Sequence, residues 1–233
     1  MRSSDMVPGT FLFRLIKAYR EFEGRFLILF VLLLATVLAL PYVSDIRRVL
    51  TVAFVAIPLG GIYASAYSKR SLVIAVIVGI PAILTSMAHN LGVHIVSDVL
   101  AGASAVLFYG FTAVTVLNFI LRQRTITADT IYGALSVYML LAFTWAFGYM
   151  TIEAATTGSF YVNPEFHPGG VMRIVDSVYF SFVTLTTLGY GDILPVTPQA
   201  RIIAAMEAVC GVLFTATLIA SLVGRLAVRK SEQ

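Results

Sequence analysis

The chain has 233 residues, 59% hydrophobic and only 12% charged. A soluble domain carries about 25% charged residues, so this composition excludes a disordered chain and argues against a soluble enzyme. The net charge of +4 does not point to nucleic acid, because the basic residues sort by segment along the chain.

Residues 1–25 form a charged N-terminal segment. Across 10–26, Leu12, Leu15, Ile16, Tyr19, Phe22 and Phe26 share one helical face, and Arg14, Lys17 and Glu21 the other. This is the pattern of a helix lying in the membrane interface; a plain extension of the next helix fits equally well. Apolar runs follow at 26–44, 49–68, 71–97, 99–121, 130–152 and 202–224. Each ends at charges, and only the last holds one, Glu207. A helix needs about 20 apolar residues to cross the hydrocarbon, so six spans are predicted. The first run is too long for a signal peptide and is read as a retained span.

With the N-terminus in the cytoplasm, the inner segments hold Arg2, Arg14, Lys17, Arg20, Arg25, Lys69, Arg70, Arg122, Arg124, Arg225, Arg229 and Lys230. The outer ones hold Arg47, Arg48, Arg173 and Arg201. This bias predicts a multi-pass protein of the cell (plasma or inner) membrane with both termini cytoplasmic. Cys210, the single cysteine, is read as a small buried residue. His89, His94 and Asp98 lie in an outer loop; their spacing lacks the catalytic glutamate of a zinc protease, and a solvated loop is the reading.

After the fifth span the spacing changes. A polar outer loop, 153–173, precedes an apolar run at 174–185 that is too short to cross, then Thr187-Leu188-Gly189-Tyr190-Gly191-Asp192 and a turn-rich stretch. A half-length helix ending in a glycine-rich strand between two spans is a re-entrant element, which membranes tolerate only where protein buries it or it lines water. A dehydrated K⁺ ion needs substitute oxygens, and rings of backbone carbonyls supply them. Aiming successive carbonyls at one axis requires alternating backbone handedness, which Gly189 and Gly191, two apart, reach at little cost. Thr187 can add a hydroxyl ring, and Tyr190 can pack outward on the pore helix, about 174–186, whose carbonyl end favours a cation.

From Thr184 through Thr187, Gly189, Tyr190, Gly191, Asp192 and Pro195 to Thr197 the chain resembles the potassium channels, whose signature pattern is T-x-x-T-x-G-Y-G-D-x-x-P-x-T. The resemblance covers about 130–228; the first four spans resemble six-span channels in count and order alone. It implies an all-α membrane protein of six transmembrane helices plus a re-entrant pore helix and filter, assembled as a homotetramer around one pore. It also implies K⁺ held by the carbonyls of Thr187, Leu188, Gly189 and Tyr190 and by the Thr187 hydroxyl, with Gly191 completing the filter. K⁺ is then the permeant ion, and no organic cofactor is expected.

Leu188 stands where valine is usual, its side chain expected to point away from the pore. Val183 stands where some members have a glutamate paired with the aspartate after the filter; here Asp192 is free to bond Tyr179 instead. Thr186, Asp192, Tyr179 and Glu207 are the expected filter supports, Glu207 bracing from behind the pore helix. Gly211 falls where the family often has a hinge glycine, and close helix packing is the other reading. The register turns Val212, Thr215, Ile219 and Val223 toward the cavity, with Ile219 and Val223 at the inner constriction.

The fourth span, 99–121, has no basic residue. Voltage sensors carry arginines there, so residues 26–124 read as a four-helix scaffold without gating arginines, 125–228 as the pore domain, and 229–233 as a short cytoplasmic tail. Any nucleotide- or Ca²⁺-binding regulator would be a separate chain. Glu165 and His167 read as surface residues, Trp145 and Tyr149 as interface or packing residues. A K⁺-selective channel, passive and not an enzyme, is the leading reading. Its rivals are a weakly selective cation channel, a transporter whose re-entrant loop binds substrate, and an intramembrane metalloprotease.

Overall fold

The structure is a computed structural model describing residues 24–42, 77, 79–81, 84, 98–123, 126–165, 169–170 and 172–231, with 222–231 as backbone alone. Its elements are α1 (Arg25–Ala39, continued by a 3-10 turn to Tyr42), α2 (Asp98–Arg122), α3 (Ala128–Ala155), β1 (Phe160–Val162), α4 (Ile174–Leu185), β2 (Ile193–Pro195) and α5 (Pro198–Ser231). Among the described residues four helices are long and apolar enough to cross a membrane: α1 with its turn, α2, α3, and α5 through Ser221. The expected second span, nearly all of the third, and most of the interfacial helix at 10–26 lie outside the described residues.

Helix ends follow capping chemistry rather than hydropathy alone. α3 begins at 128, two residues before the expected 130, because Thr127 and Thr130 form a reciprocal cap. The Thr130 amide donates to Thr127 Oγ1 at 3.2 Å and the Thr127 amide to Thr130 Oγ1 at 3.4 Å, which satisfies end amides that the helix leaves unpaired. At α4, Asp176 is buried in the first turn and accepts from the Arg173 amide at 2.9 Å and from Arg173 Nε at 3.0 Å. A carboxylate there also complements the helix dipole.

α2 and α3 pack antiparallel along their full length, and small residues set the spacing. A Cβ on Gly102 would overlap Thr151, one on Gly110 would sit 3.6 Å from Thr144, and one on Gly133 would lie 2.9 Å from Ile120. Close backbone approach of this kind is how membrane helices gain dispersion energy, since lipid supplies no hydrophobic drive between them. The Tyr109 ring stacks on Phe143 and Phe147 at 5.6 and 5.2 Å. α1 joins through its N-terminus: the Phe26 amide donates to Asp129 Oδ1 at 3.0 Å, and the Arg25 guanidinium lies 4.1 Å from the Phe119 ring centroid. The fourth expected span is thereby fastened to the fifth of its own chain.

An all-α chain is corrected by a small sheet. β1 and β2 pair antiparallel, with Phe160 opposite Pro195 and Val162 opposite Ile193. The expected polar loop at 153–173 therefore contains a helical turn and a strand. Glu153 explains both: its carboxylate accepts the Gly158 and Phe160 amides at 2.8 and 3.2 Å and folds the chain back just past the helix end. Phe160, Val162 and Ile193 are buried with Tyr149, Phe180, Ala200 and Ala204 in a second apolar cluster, apart from the one shared by α1, α2 and α3.

Candidate functional site

α4 ends at Leu185, and Thr186 caps it, its hydroxyl donating to the Phe182 carbonyl at 2.6 Å. The chain then turns back on the helix it has left. The Thr187 amide donates to Thr184 O at 2.9 Å, and the amides of Leu188 and Gly189 converge on Val183 O at 2.8 and 3.4 Å. These bonds satisfy carbonyls that a helix C-terminus otherwise leaves open.

Backbone handedness alternates through this stretch. Thr187, Gly189 and Gly191 have φ of 58°, 61° and 82°, while Leu188 and Tyr190 between them stay in the ordinary region. The positive φ of Thr187 has no sequence signal, because a β-branched residue is an outlier there. Strain of this kind persists only where surrounding structure imposes it. Among the described residues none donates a hydrogen bond to the carbonyls of Thr187, Leu188, Gly189, Tyr190 or Gly191. Five successive carbonyls without a protein partner are unusual, since backbone polar groups are almost always paired. Within the single chain Tyr190 is 67% exposed and Leu188 54%.

The expected supports come together behind this loop. Tyr179 on α4 faces the Asp192 side chain; burial and then this neighbour push the phenol up to about 12. Glu207 is fully buried on α5. It accepts from the Tyr149 hydroxyl of α3 and faces the Ser181 hydroxyl of α4, which also lies 2.7 Å from the Ala142 carbonyl. One carboxyl thus joins three helices. Ser181 and Tyr149 were not foreseen as its partners; a hydroxyl in each of the two helices flanking a lone carboxyl was the available signal. Tyr149 packs in the interior, and Trp145 is partly buried against the second cluster.

Gly211 lies against the end of α4, where a Cβ would overlap the Leu185 carbonyl and come within 2.9 Å of its carbon. The Tyr138 hydroxyl donates to that same carbonyl at 3.2 Å. Val212, Thr215 and Ile219 are exposed in the single chain, and the Thr215 hydroxyl bonds its own helix at Gly211 O. The side chain of Val223 lies outside the described residues, as do His89, His94 and His167. Glu165 is exposed, and among the described residues no three His, Cys, Asp or Glu gather as metal ligands.

The family described as "Ion channel" matches residues 135–227, from within α3 through the loop to α5. This segment is an ion-channel pore domain. The curated proteins that the chain is similar to are potassium channels. The Escherichia coli (strain K12) "Voltage-gated potassium channel Kch" is 31% identical over 50% of this chain and 26% of its own length. The Arabidopsis thaliana "Two-pore potassium channel 5" is 40% identical over 27% and 14%. The human "Potassium voltage-gated channel subfamily A member 10" is 32% identical over 38% and 17%. The chain thus spans about a quarter or less of the length of these relatives. No solved structure matches the chain. An ion channel lowers a barrier to ion movement without making or breaking bonds, so the family is not one of enzymes.

Proposed function

We propose that the chain is one subunit of a homotetrameric, K⁺-selective channel in the cell membrane, with both termini cytoplasmic and conduction passive. The observation that carries this reading is the run of five unpartnered carbonyls on a backbone of alternating handedness. Four copies around one axis turn each carbonyl into a ring of oxygens that replaces the hydration shell of K⁺. Thr187, Leu188, Gly189 and Tyr190 bind the ion, with Gly191 at the exit. The same assembly covers the exposed Tyr190 and Leu188 and gathers Val212, Thr215, Ile219 and Val223 around the cavity. Tyr179 and Asp192 steady the outer end, Thr186 the inner end, and Glu207 holds α4 between α3 and α5.

Residues 26–124 act as a scaffold on the pore domain, 125–228. The words "voltage-gated" in relatives' names are not carried over, because no basic residue lies between Asp98 and Arg122. Without charge to move through the field, a helix draws no gating energy from it.

The test is bi-ionic K⁺/Na⁺ recording after reconstitution in planar bilayers. A reversal potential strongly displaced toward the K⁺ equilibrium is expected; one near zero leaves the weakly selective alternative. Replacing Glu207 by alanine is expected to lower the melting temperature of the detergent-solubilised channel. The Ser181 hydroxyl keeps the Ala142 carbonyl, but the buried Tyr149 hydroxyl loses its acceptor, a cost of about 1–3 kcal/mol per chain. An unchanged melting curve would remove Glu207 from the bracing role.

A further inference from the structure

Glu207, Tyr149 and Ser181 are each fully buried, on α5, α3 and α4. Among the described residues no lysine, arginine or histidine pairs with the carboxyl. The surroundings are apolar: Tyr149 packs against Phe160 and Phe180 at 5.2 and 5.0 Å. Tyr138 is the next ionisable group, and its hydroxyl already donates to the Leu185 carbonyl at 3.2 Å.

Three oxygen–oxygen contacts meet in this buried site. The Tyr149 hydroxyl meets Oε2 of Glu207, the Ser181 hydroxyl meets Oε1, and the same Ser181 oxygen lies 2.7 Å from the Ala142 carbonyl. Oxygens this close need a hydrogen between each pair, because bare lone pairs repel. Tyr149 and Ser181 bring one hydrogen each, and a backbone carbonyl brings none. An ionised carboxylate brings none either, and would leave one of the contacts without a hydrogen. Glu207 is the remaining source.

We infer that Glu207 is an un-ionised carboxylic acid in the folded channel and donates its proton to Ser181, which gives its own hydrogen to the Ala142 carbonyl. The donors then run one way: Tyr149 to Oε2, Oε1 to Ser181 Oγ, Ser181 to Ala142 O. The relay starts and ends on α3 and passes through α5 and α4. Bonds in such a series polarise and strengthen one another, and a neutral carboxyl avoids the cost of an isolated buried charge. The assignment deepens the bracing role proposed for Glu207 and does not depend on which ion the pore selects. It also makes the fold sensitive to alkali. Losing the proton turns the Ser181 hydrogen toward the carboxylate, leaves the Ser181 oxygen against the Ala142 carbonyl with nothing between them, and pushes α4 off α3.

The experiment takes the infrared spectrum of the detergent-solubilised channel at neutral pH. Parent minus Glu207→Gln is expected to show the carbonyl stretch of a protonated carboxylic acid; carboxylate bands in its place overturn the inference. Isotope-labelled glutamate in the parent gives the same answer should the variant not fold. Among the described residues the other glutamates accept two amides (Glu153) or face solvent (Glu165), so a shifted acid band is assigned to Glu207, and its absence overturns the inference. Melting against pH is the second readout. The folded chain holds a proton that an unfolded, solvated glutamate has released at neutral pH, so stability falls as pH rises. Relative to Glu207→Gln, the folding equilibrium of the parent is expected to drop by up to about tenfold per pH unit above neutral; parallel curves overturn the inference. Failure of the bracing role shows separately, as an unchanged melting curve in Glu207→Ala.

Discussion

Replacing Gly189 by alanine is expected to abolish K⁺ conduction while leaving the tetramer assembled. Gly189 sits at φ 61°, and an added Cβ meets nothing within 4 Å in its own chain. The effect is therefore one of backbone conformation, not of a clash. A left-handed conformation costs a residue with a Cβ about 1–2 kcal/mol, and in the proposed tetramer four copies bear it around one ring. Thr187, two residues earlier, already holds a positive φ against its own preference. The strain is relieved by rotating the peptide between Leu188 and Gly189, which swings the Leu188 carbonyl off the axis. Gly170 supplies the control: it too has φ 61° and open space around it, but it lies in the loop before α4. Gly170→Ala carries the same backbone strain and should conduct as the parent does. Recording both variants in bilayers against total tetramer by size-exclusion separates the cases. Undiminished K⁺ current in Gly189→Ala contradicts the filter assignment.

What the sequence makes legible, and what it hides, follows from the range of each interaction. α2 spans 98–122 where 99–121 was expected, because charges cannot sit in hydrocarbon and so mark helix ends directly. The glycine spacing at 189 and 191 is legible because glycine alone enters the left-handed region cheaply. Thr187 joins them there only because the end of α4 captures the amides around it. Glu207 stands out as a lone charge in an apolar run, yet its partners Tyr149 and Ser181 lie 58 and 26 residues away, and no local pattern links them. β1 was missed for a related reason. A three-residue strand is too short for periodicity to reveal, and it is stabilised by β2, more than thirty residues on, and by a carboxylate on the preceding helix. The four structures around residues 187–191 (α3, α4, α5 and the sheet) each contribute a contact that no single segment announces.

Replacing Gly211 by alanine is expected to destabilise the channel, and the sign of the change separates two roles for this glycine. A hinge glycine in a helix interior is a weak point. Exchanging it for alanine stabilises the helix by about 0.5–1 kcal/mol, and the cost appears only in opening. A contact glycine behaves in the opposite way. At Gly211 the Cβ would overlap the Leu185 carbonyl and lie 3.2 Å from its Cα. The obstacle is main chain, so no neighbouring side chain can turn aside. α5 must retreat from α4, at the cost of about 1–3 kcal/mol per chain that overpacking incurs. The retreat also disturbs the Tyr138 hydrogen bond to Leu185 O and shifts the end of α4 just before the proposed filter. Gly211→Ala should therefore melt at a lower temperature, yield less tetramer by size-exclusion, and conduct poorly even where assembled. Val212→Ala, at the next and exposed position, should leave stability near that of the parent. A higher melting temperature for Gly211→Ala with altered open probability would assign the residue to the hinge, because only a position free of the Leu185 contact gains from the added methyl group.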